Sequence, residues 1–382
     1  NSPQACYRDL REAPAPADKG YQKGKDHRTS AFHIRLNLSL CCIIGRGPLG
    51  SLFFIDSGGR KVRSKIIFEW LSWILLSLTF FTGGMYFALA SPLLIIIAPV
   101  PFMMLCIRQG SRESFLGVLF GTVSVFMIFG GLSAFMYAVE FGMLGVLFGY
   151  VYGRADNGVD FVLFSVAVSI AAKIILLVTF ARLSGSDPFA MSPEAATQIV
   201  GSLARRFSSG GIGASEEIIN NYASAMVETV SLLMPSMIIF FSAIDTFAAY
   251  GTVSYLIKKS GGEPLVTLPK FGTWRFPKNL FWALAAAVVM DLAGKAFPDE
   301  RVFRVASANL MEVLRAIFMI QGLSLCWYYM SHRGISKPVR VLFSVFCVIF
   351  SPVSYILSMV GIFDIWYDLR TRIRGKNNES NS

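Results

Sequence analysis

Residues 161–182, FVLFSVAVSIAAKIILLVTFAR, carry a single charged side chain, Lys173, ahead of the closing Arg182. About 20 apolar residues at 1.5 Å of rise each span the ~30 Å hydrocarbon layer as a helix, and a core strand is far shorter. The pattern repeats outward from this run in both directions. Apolar segments are read at 66–88, 93–107, 115–134, 136–152, 161–182, 231–257, 279–297, 305–330 and 338–366, separated mostly by short basic loops. The expected fold is all-α, a polytopic transmembrane helix bundle of about nine segments, within a range of eight to ten. The second segment contains Pro92, Pro99 and Pro101 and reads as broken or re-entrant, a form tolerated only where protein or a cavity satisfies the freed backbone groups. The ninth has Ser351-Pro352 at its middle and is best split there into two half-length helices.

Composition agrees with a bilayer as solvent. Of the 382 residues 54% are hydrophobic and 15% charged, whereas a soluble domain carries roughly 25% charge. The formal charge of +11 is uneven: residues 1–65 hold 12 Lys/Arg against 5 Asp/Glu, and the remainder 23 against 19. A basic flank ahead of a first span explains this better than nucleic-acid binding, for which no module is present. Residues 1–65 open at Asn1, pass through Ala13-Pro14-Ala15-Pro16 and offer no periodic apolar face, so they are expected to be a disordered basic extension, either a cytoplasmic tail or a stretch not native to the protein. Residues 66–182 form the first membrane helix group, 231–370 the second, and 371–382 a polar tail.

Basic residues recur after every second segment, which by the positive-inside rule places the amino terminus in the cytoplasm. The long connection, 183–230, then lies outside. Within it Ala195, Ala196, Ile199, Val200, Leu203 and Phe207 fall at helical spacing, giving an amphipathic helix over 193–207 that either packs on the bundle or caps a cavity as a lid.

Chemistry-bearing patterns are sparse. The six cysteines show no CxxC spacing and the three histidines lie outside the apolar runs, so neither a metal nor another cofactor is expected. GxSxG, GxxxxGK[ST] and HExxH are absent, and the chain does not read as an enzyme. Gly84/Ala88, Gly117/Gly121 and Gly145/Gly149 are small-xxx-small pairs that let helices approach, within the chain or against a partner.

Ionisable residues inside the spans each cost ~2.5–3.5 kcal/mol at a helix centre and need compensation. Asp291/Lys295 and Glu312/Arg315 pair locally along one helix face. Lys173 and Asp245 have no local partner, and a cross-helix pair between them is expected, either to fix helix register or to hold a ligand. Asn309 shares a face with Glu312, and Gln321 adds an amide further along, so the eighth segment has one polar side. The expected substrate-binding set is Asn309, Glu312, Arg315 and Gln321, with Lys173 and Asp245 nearby.

The loop Leu268-Pro269-Lys270-Phe271-Gly272-Thr273-Trp274-Arg275-Phe276-Pro277, the span opening Asn279-Leu280-Phe281-Trp282, Asn309-Leu310, Gln321-Gly322-Leu323 and the run Gly361-Ile362-Phe363-Asp364-Ile365-Trp366-Tyr367-Asp368-Leu369-Arg370 follow in order. Together they resemble the YybS-like family of uncharacterised bacterial multi-pass membrane proteins, over roughly residues 66–375. That resemblance implies a bacterial inner-membrane location and an architecture similar to the substrate-binding S components of energy-coupling-factor transporters, though with about nine segments rather than six. In the terminal run Asp364, Trp366, Asp368 and Arg370 read as an interfacial anchor or a partner-binding end. The expected function is a substrate-binding, transport-type subunit for a small polar solute, partnered by the bilayer and by a membrane coupling subunit or further copies of itself. The alternative is a membrane scaffold or regulatory protein that moves nothing.

Overall fold

The computed structural model describes residues 60–87, 90–185, 196–202, 216–297, 300–367 and 369–370. Contacts divide the chain into Asn1–Lys65 and Ile66–Ser382, and the second unit is the helical body. The readings of residues 1–59, of 193–195 and 203–207, of Asp368 and of the tail 371–382 lie outside the described residues; of the helix read over 193–207, residues 196–202 are helical.

The helices are α1 (Arg60–Tyr86), α2 (Ser91–Ile96), α3 (Val100–Gln109), α4 (Ser111–Phe129), α5 (Gly131–Met136), α6 (Leu144–Tyr152), α7 (Gly158–Ser184), α8 (Glu216–Lys259), α9 (Leu280–Ala296), α10 (Arg301–His332), α11 (Lys337–Ile349) and α12 (Ser351–Tyr367). A π-helical stretch, Tyr137–Met143, joins α5 to α6, and a 3-10 turn, Phe271–Thr273, sits in the loop before α9. Among the described residues there is no strand, and the protein is an all-α polytopic bundle. Among the described residues seven helical stretches are long and apolar enough to cross a membrane, and the pair α11 and α12 makes an eighth if it counts as one crossing. The one expected segment left over, the seventh, is α9, whose 17 residues reach about 25 Å, at the lower limit for a span.

Proline and glycine set the breaks. The second segment divides into α2 and α3 at Ile97–Pro99, with Pro92 and Pro101 in the opening turns, where a missing N–H costs nothing. The last segment divides at Phe350, and α12 opens with Ser351-Pro352 at a bend of 104° from α11. The boundary between the third and fourth segments falls at Gly130, whose φ of 85° suits glycine, rather than near residue 135 as the apolar run suggested. Helix α8 begins at Glu216, well before the apolar stretch from 231, so its 44 residues reach about 66 Å, over twice the hydrocarbon thickness.

Two of the three small-residue pairs read from the sequence, Gly117/Gly121 and Gly145/Gly149, pack within the chain, and Ala88 of the third lies outside the described residues. A Cβ on Gly145 would meet Pro99 O and Phe102, and one on Gly149 would meet Cys106 and Met103 O, so α6 lies directly on α3. The tightest approach involves two other glycines. Cβ atoms on Gly322 and Gly361 would overlap the carbonyl oxygens of Leu357 and Phe318, which holds α10 against α12 backbone to backbone. Tyr137, Phe141, Phe81 and Phe102 form an aromatic core between α1, α3 and the π stretch, and Tyr137 OH shares a 2.6 Å hydrogen bond with Ser77 Oγ.

Candidate functional site

The polar side chains of α10 do not gather into one site. Asn309 serves the turn of α8 around Pro235. Pro235 lies inside that helix, where it has no N–H and its ring crowds the preceding turn. Leu232 O and Ser236 N are the pair an uninterrupted helix would join. Here the Asn309 amide stands between them: its Nδ2 donates to Leu232 O at 2.7 Å and its Oδ1 accepts from Ser236 N at 2.8 Å. The remaining Nδ2 hydrogen goes to Val305 O at 2.7 Å. Asn309 thus plugs α10 onto α8, and it also lines a cavity of about 390 Å³ with Pro235, Val302, Val305 and Ala306.

Glu312 and Arg315 do pair, Arg315 Nε donating to Glu312 Oε2 at 2.9 Å, and Arg315 Nη1 reaches Ser354 Oγ on α12 at 3.3 Å. The guanidinium lies 5.0 Å from the Tyr355 ring. With side chains about one-quarter exposed, the pair joins α10 to α12.

Gln321 belongs to a third structure, at the far end of α10. It is 1% exposed, accepts from Phe276 N at 3.1 Å through Oε1 and donates to Asp364 Oδ2 at 2.5 Å through Nε2. Arg370 lies 3.3 Å from the same Asp364 oxygen, donates to Gly272 O at 2.7 Å, and donates to Ser324 Oγ at 3.1 Å. Ser324 Oγ in turn donates to Phe271 O at 2.6 Å. Three stretches far apart in the sequence, 268–277, 321–323 and 361–370, thus close on one buried latch. The reading of Asp364 and Arg370 as an interfacial anchor or a partner-binding end is corrected: both are about 95% buried, and each charge is offset by the other. Trp366 is half exposed and packs edge-on against Phe281.

The arrangement left over lies across the bundle. Lys173, near the middle of α7, uses all three N–H donors: it donates to Glu140 Oε1 at 3.0 Å, to Ser169 Oγ at 3.3 Å and to Asp245 Oδ2 on α8. Ser169 Oγ also donates to Asp245 Oδ2 at 3.4 Å. The expected Lys173–Asp245 contact is present, joined by an acid the sequence reading passed over. Glu140 occupies the π stretch, a wider turn that often marks a functional position. Its signal was present, a carboxylate inside an apolar run. Read from a start at 136 it lay near a segment end, whereas α5 begins at Gly131 and carries it nine residues inward.

One cation thus faces two carboxylates, and the cluster is formally −1. Side-chain exposure is 17% for Lys173, 14% for Glu140 and 4% for Asp245. Beside Lys173 opens a cavity of about 270 Å³ walled by Leu132, Phe135, Met136, Leu176, Leu177, Thr179, Phe180 and Ile238. Among the described residues no group of three or more His, Cys, Asp and Glu is placed to hold a metal ion.

The family described as Predicted membrane protein (DUF2232) matches residues 75–365. No curated protein and no solved structure matches the chain.

Proposed function

The chain belongs to the DUF2232 family of predicted membrane proteins, and we propose that it is a YybS-like, transport-type subunit that binds a small solute in the bacterial inner membrane. The observation that carries this reading is the Lys173–Glu140–Asp245 cluster beside the 270 Å³ cavity. Three intramembrane charges cost several kcal/mol to insert, and register alone needs only two of them. The third leaves a polar, partly accessible centre against an apolar wall, which is the composition of a small-molecule site. The site is therefore moved from the polar side of α10 to the junction of the π stretch, α7 and α8. The amino terminus is assigned to the cytoplasm from the loop charges, the chain is read as a binding subunit without enzymatic chemistry, and its energy comes from a membrane coupling subunit or from another copy. A scaffold that moves nothing is the second reading, favoured by the internal use of Asn309, Gln321, Asp364 and Arg370.

Native mass spectrometry of the gently solubilised protein tests this. The wild type is expected to retain a small molecule that is lost in Glu140→Gln and in Leu177→Trp, which fills the cavity. Retention unchanged in both variants, or no retained molecule together with recovery of envelope-synthesis proteins, would decide for the scaffold.

A further inference from the structure

At the end of α10 a second cavity, of about 340 Å³, opens between α10 and α11, walled by Leu325, Cys326, Tyr329, Met330 and Phe343. Helix α11 has only 13 residues, about 20 Å, which is too short to cross the hydrocarbon. Most of its apolar side chains are exposed, Leu342 at 70% and Ile349 at 77% among them, so the gap beside it faces lipid.

One end of this groove is crowned by cations. The Arg333 guanidinium lies 5.2 Å from the ring of Tyr329, which itself lines the groove, and that of Arg340 lies 5.0 Å from the Trp327 ring. Arg340 is one turn before Phe343 on α11, and Lys337 is exposed one turn earlier. None of the three lies within 4 Å of an acidic group among the described residues. Arg340 Nε is buried and donates to no group there. Trp327, Tyr328 and Tyr329 mark this end as headgroup depth, where amphipathic rings collect.

We propose that this groove is a binding site for one anionic phospholipid, an acyl chain lying along Leu325, Met330 and Phe343 and the phosphate received by Arg333, Lys337 and Arg340. Charge selects the occupant. A zwitterionic lipid would fill the groove equally well but brings a cation to an unpaired cationic crown, whereas an anionic headgroup supplies the counter-charge that Arg333, Lys337 and Arg340 lack among the described residues. The apolar wall separates a lipid from a free phosphate, which would meet only the crown.

The test is native mass spectrometry of protein equilibrated with equal amounts of dioleoyl-phosphatidylglycerol and dioleoyl-phosphatidylcholine. The wild type is expected to retain the anionic lipid with roughly tenfold preference, three basic residues each adding attraction near the surface. R333Q/R340Q is expected to bring that preference close to parity, and the exposed K337Q to reduce it severalfold without change in melting temperature. Met330→Trp, which fills the groove, is expected to remove the lipid while the crown stays intact. Equal retention of the two lipids by the wild type, or an unchanged preference in R333Q/R340Q, would overturn the site. Equal competition by glycerophosphoglycerol, which has the headgroup but no chains, would overturn the lipid assignment and leave a soluble phosphate ligand. Displacement of the lipid by an acidic peptide that survives Met330→Trp would overturn it in favour of a protein partner.

Discussion

Replacing Lys173 by Met separates the buried cluster into its parts. The side chain being removed is 17% exposed and makes all three of its donations inside the bundle, two of them to carboxylates. Its loss leaves Glu140 and Asp245 facing each other without a cation, and stripping one partner from a buried pair costs about 3–5 kcal/mol. Glu140→Gln removes one unit of negative charge but keeps an oxygen in place to accept from Lys173. It turns a −1 cluster into a neutral Lys173–Asp245 pair, so its expected cost is below about 1 kcal/mol, since a lost charge-assisted contact is offset by a lost excess charge. Combining K173M with E140Q and D245N is expected to recover most of the single-variant loss, because no unpaired charge then remains in hydrocarbon. Reversible unfolding of the detergent-solubilised protein by dodecyl sulfate measures each step. If E140Q costs as much as K173M, or if the triple variant loses the sum of the single losses, Glu140 is an ordinary structural partner and the charge imbalance has no separate meaning.

Three further outcomes follow from the packing. N309A is expected to cost about 1–3 kcal/mol, the range for two lost interhelical hydrogen bonds in a bundle, and to cost less than about 0.5 kcal/mol in a P235A background, where Leu232 O and Ser236 N can join directly; additive losses in the same unfolding assay would contradict the plug. Arg370→Ala leaves Asp364 buried without its cation and is expected to lower stability by about 3–5 kcal/mol, with new protease cleavage in the 268–277 loop that Arg370 ties through Gly272; an intact loop on limited proteolysis would argue against the latch. Gly361→Ala drives a methyl into the Phe318 carbonyl of a backbone that cannot yield and is expected to cost about 1–3 kcal/mol. Gly251→Ala, in the same class of substitution but with open space around it, should gain up to about 1 kcal/mol; equal melting temperatures for these two variants would show that the α10–α12 contact is slack.

The membrane class and the chain's punctuation were legible because bilayer thickness and proline geometry act locally. The breaks at Pro99 and at Ser351-Pro352 needed no tertiary knowledge. Gly130 was misplaced because an apolar run continues unbroken across it, and only its positive φ ends the helix. The start of α8 at Glu216 was hidden for the opposite reason: Glu217, Asn220 and Asn221 open the helix on polar residues, and polarity was read as loop. The Lys173–Asp245 contact followed from charge alone, since two opposite unpaired charges on consecutive spans have few other remedies. The roles of Asn309 and Gln321 could not follow from charge or spacing, because each is defined by a partner elsewhere in the chain: an interrupted turn at Pro235 and a loop amide at Phe276.

What separates the Lys173 junction from the latch is therefore access. Gln321 and Asp364 look chemical in sequence, yet Gln321 has both ends of its amide engaged and Asp364, although its Oδ1 accepts from no group among the described residues, is sealed with Arg370 at 2% and 3% side-chain exposure. At Lys173 the accounting runs the other way. The ammonium is fully donated, which leaves nothing for an anionic solute, while the two carboxylates have more acceptor capacity than one lysine and one serine can use. Access to the charged groups, more than the presence of charge in the membrane, is what distinguishes this junction from the latch: the Lys173 and Glu140 side chains are 17% and 14% exposed, those of Arg370 and Asp364 3% and 2%.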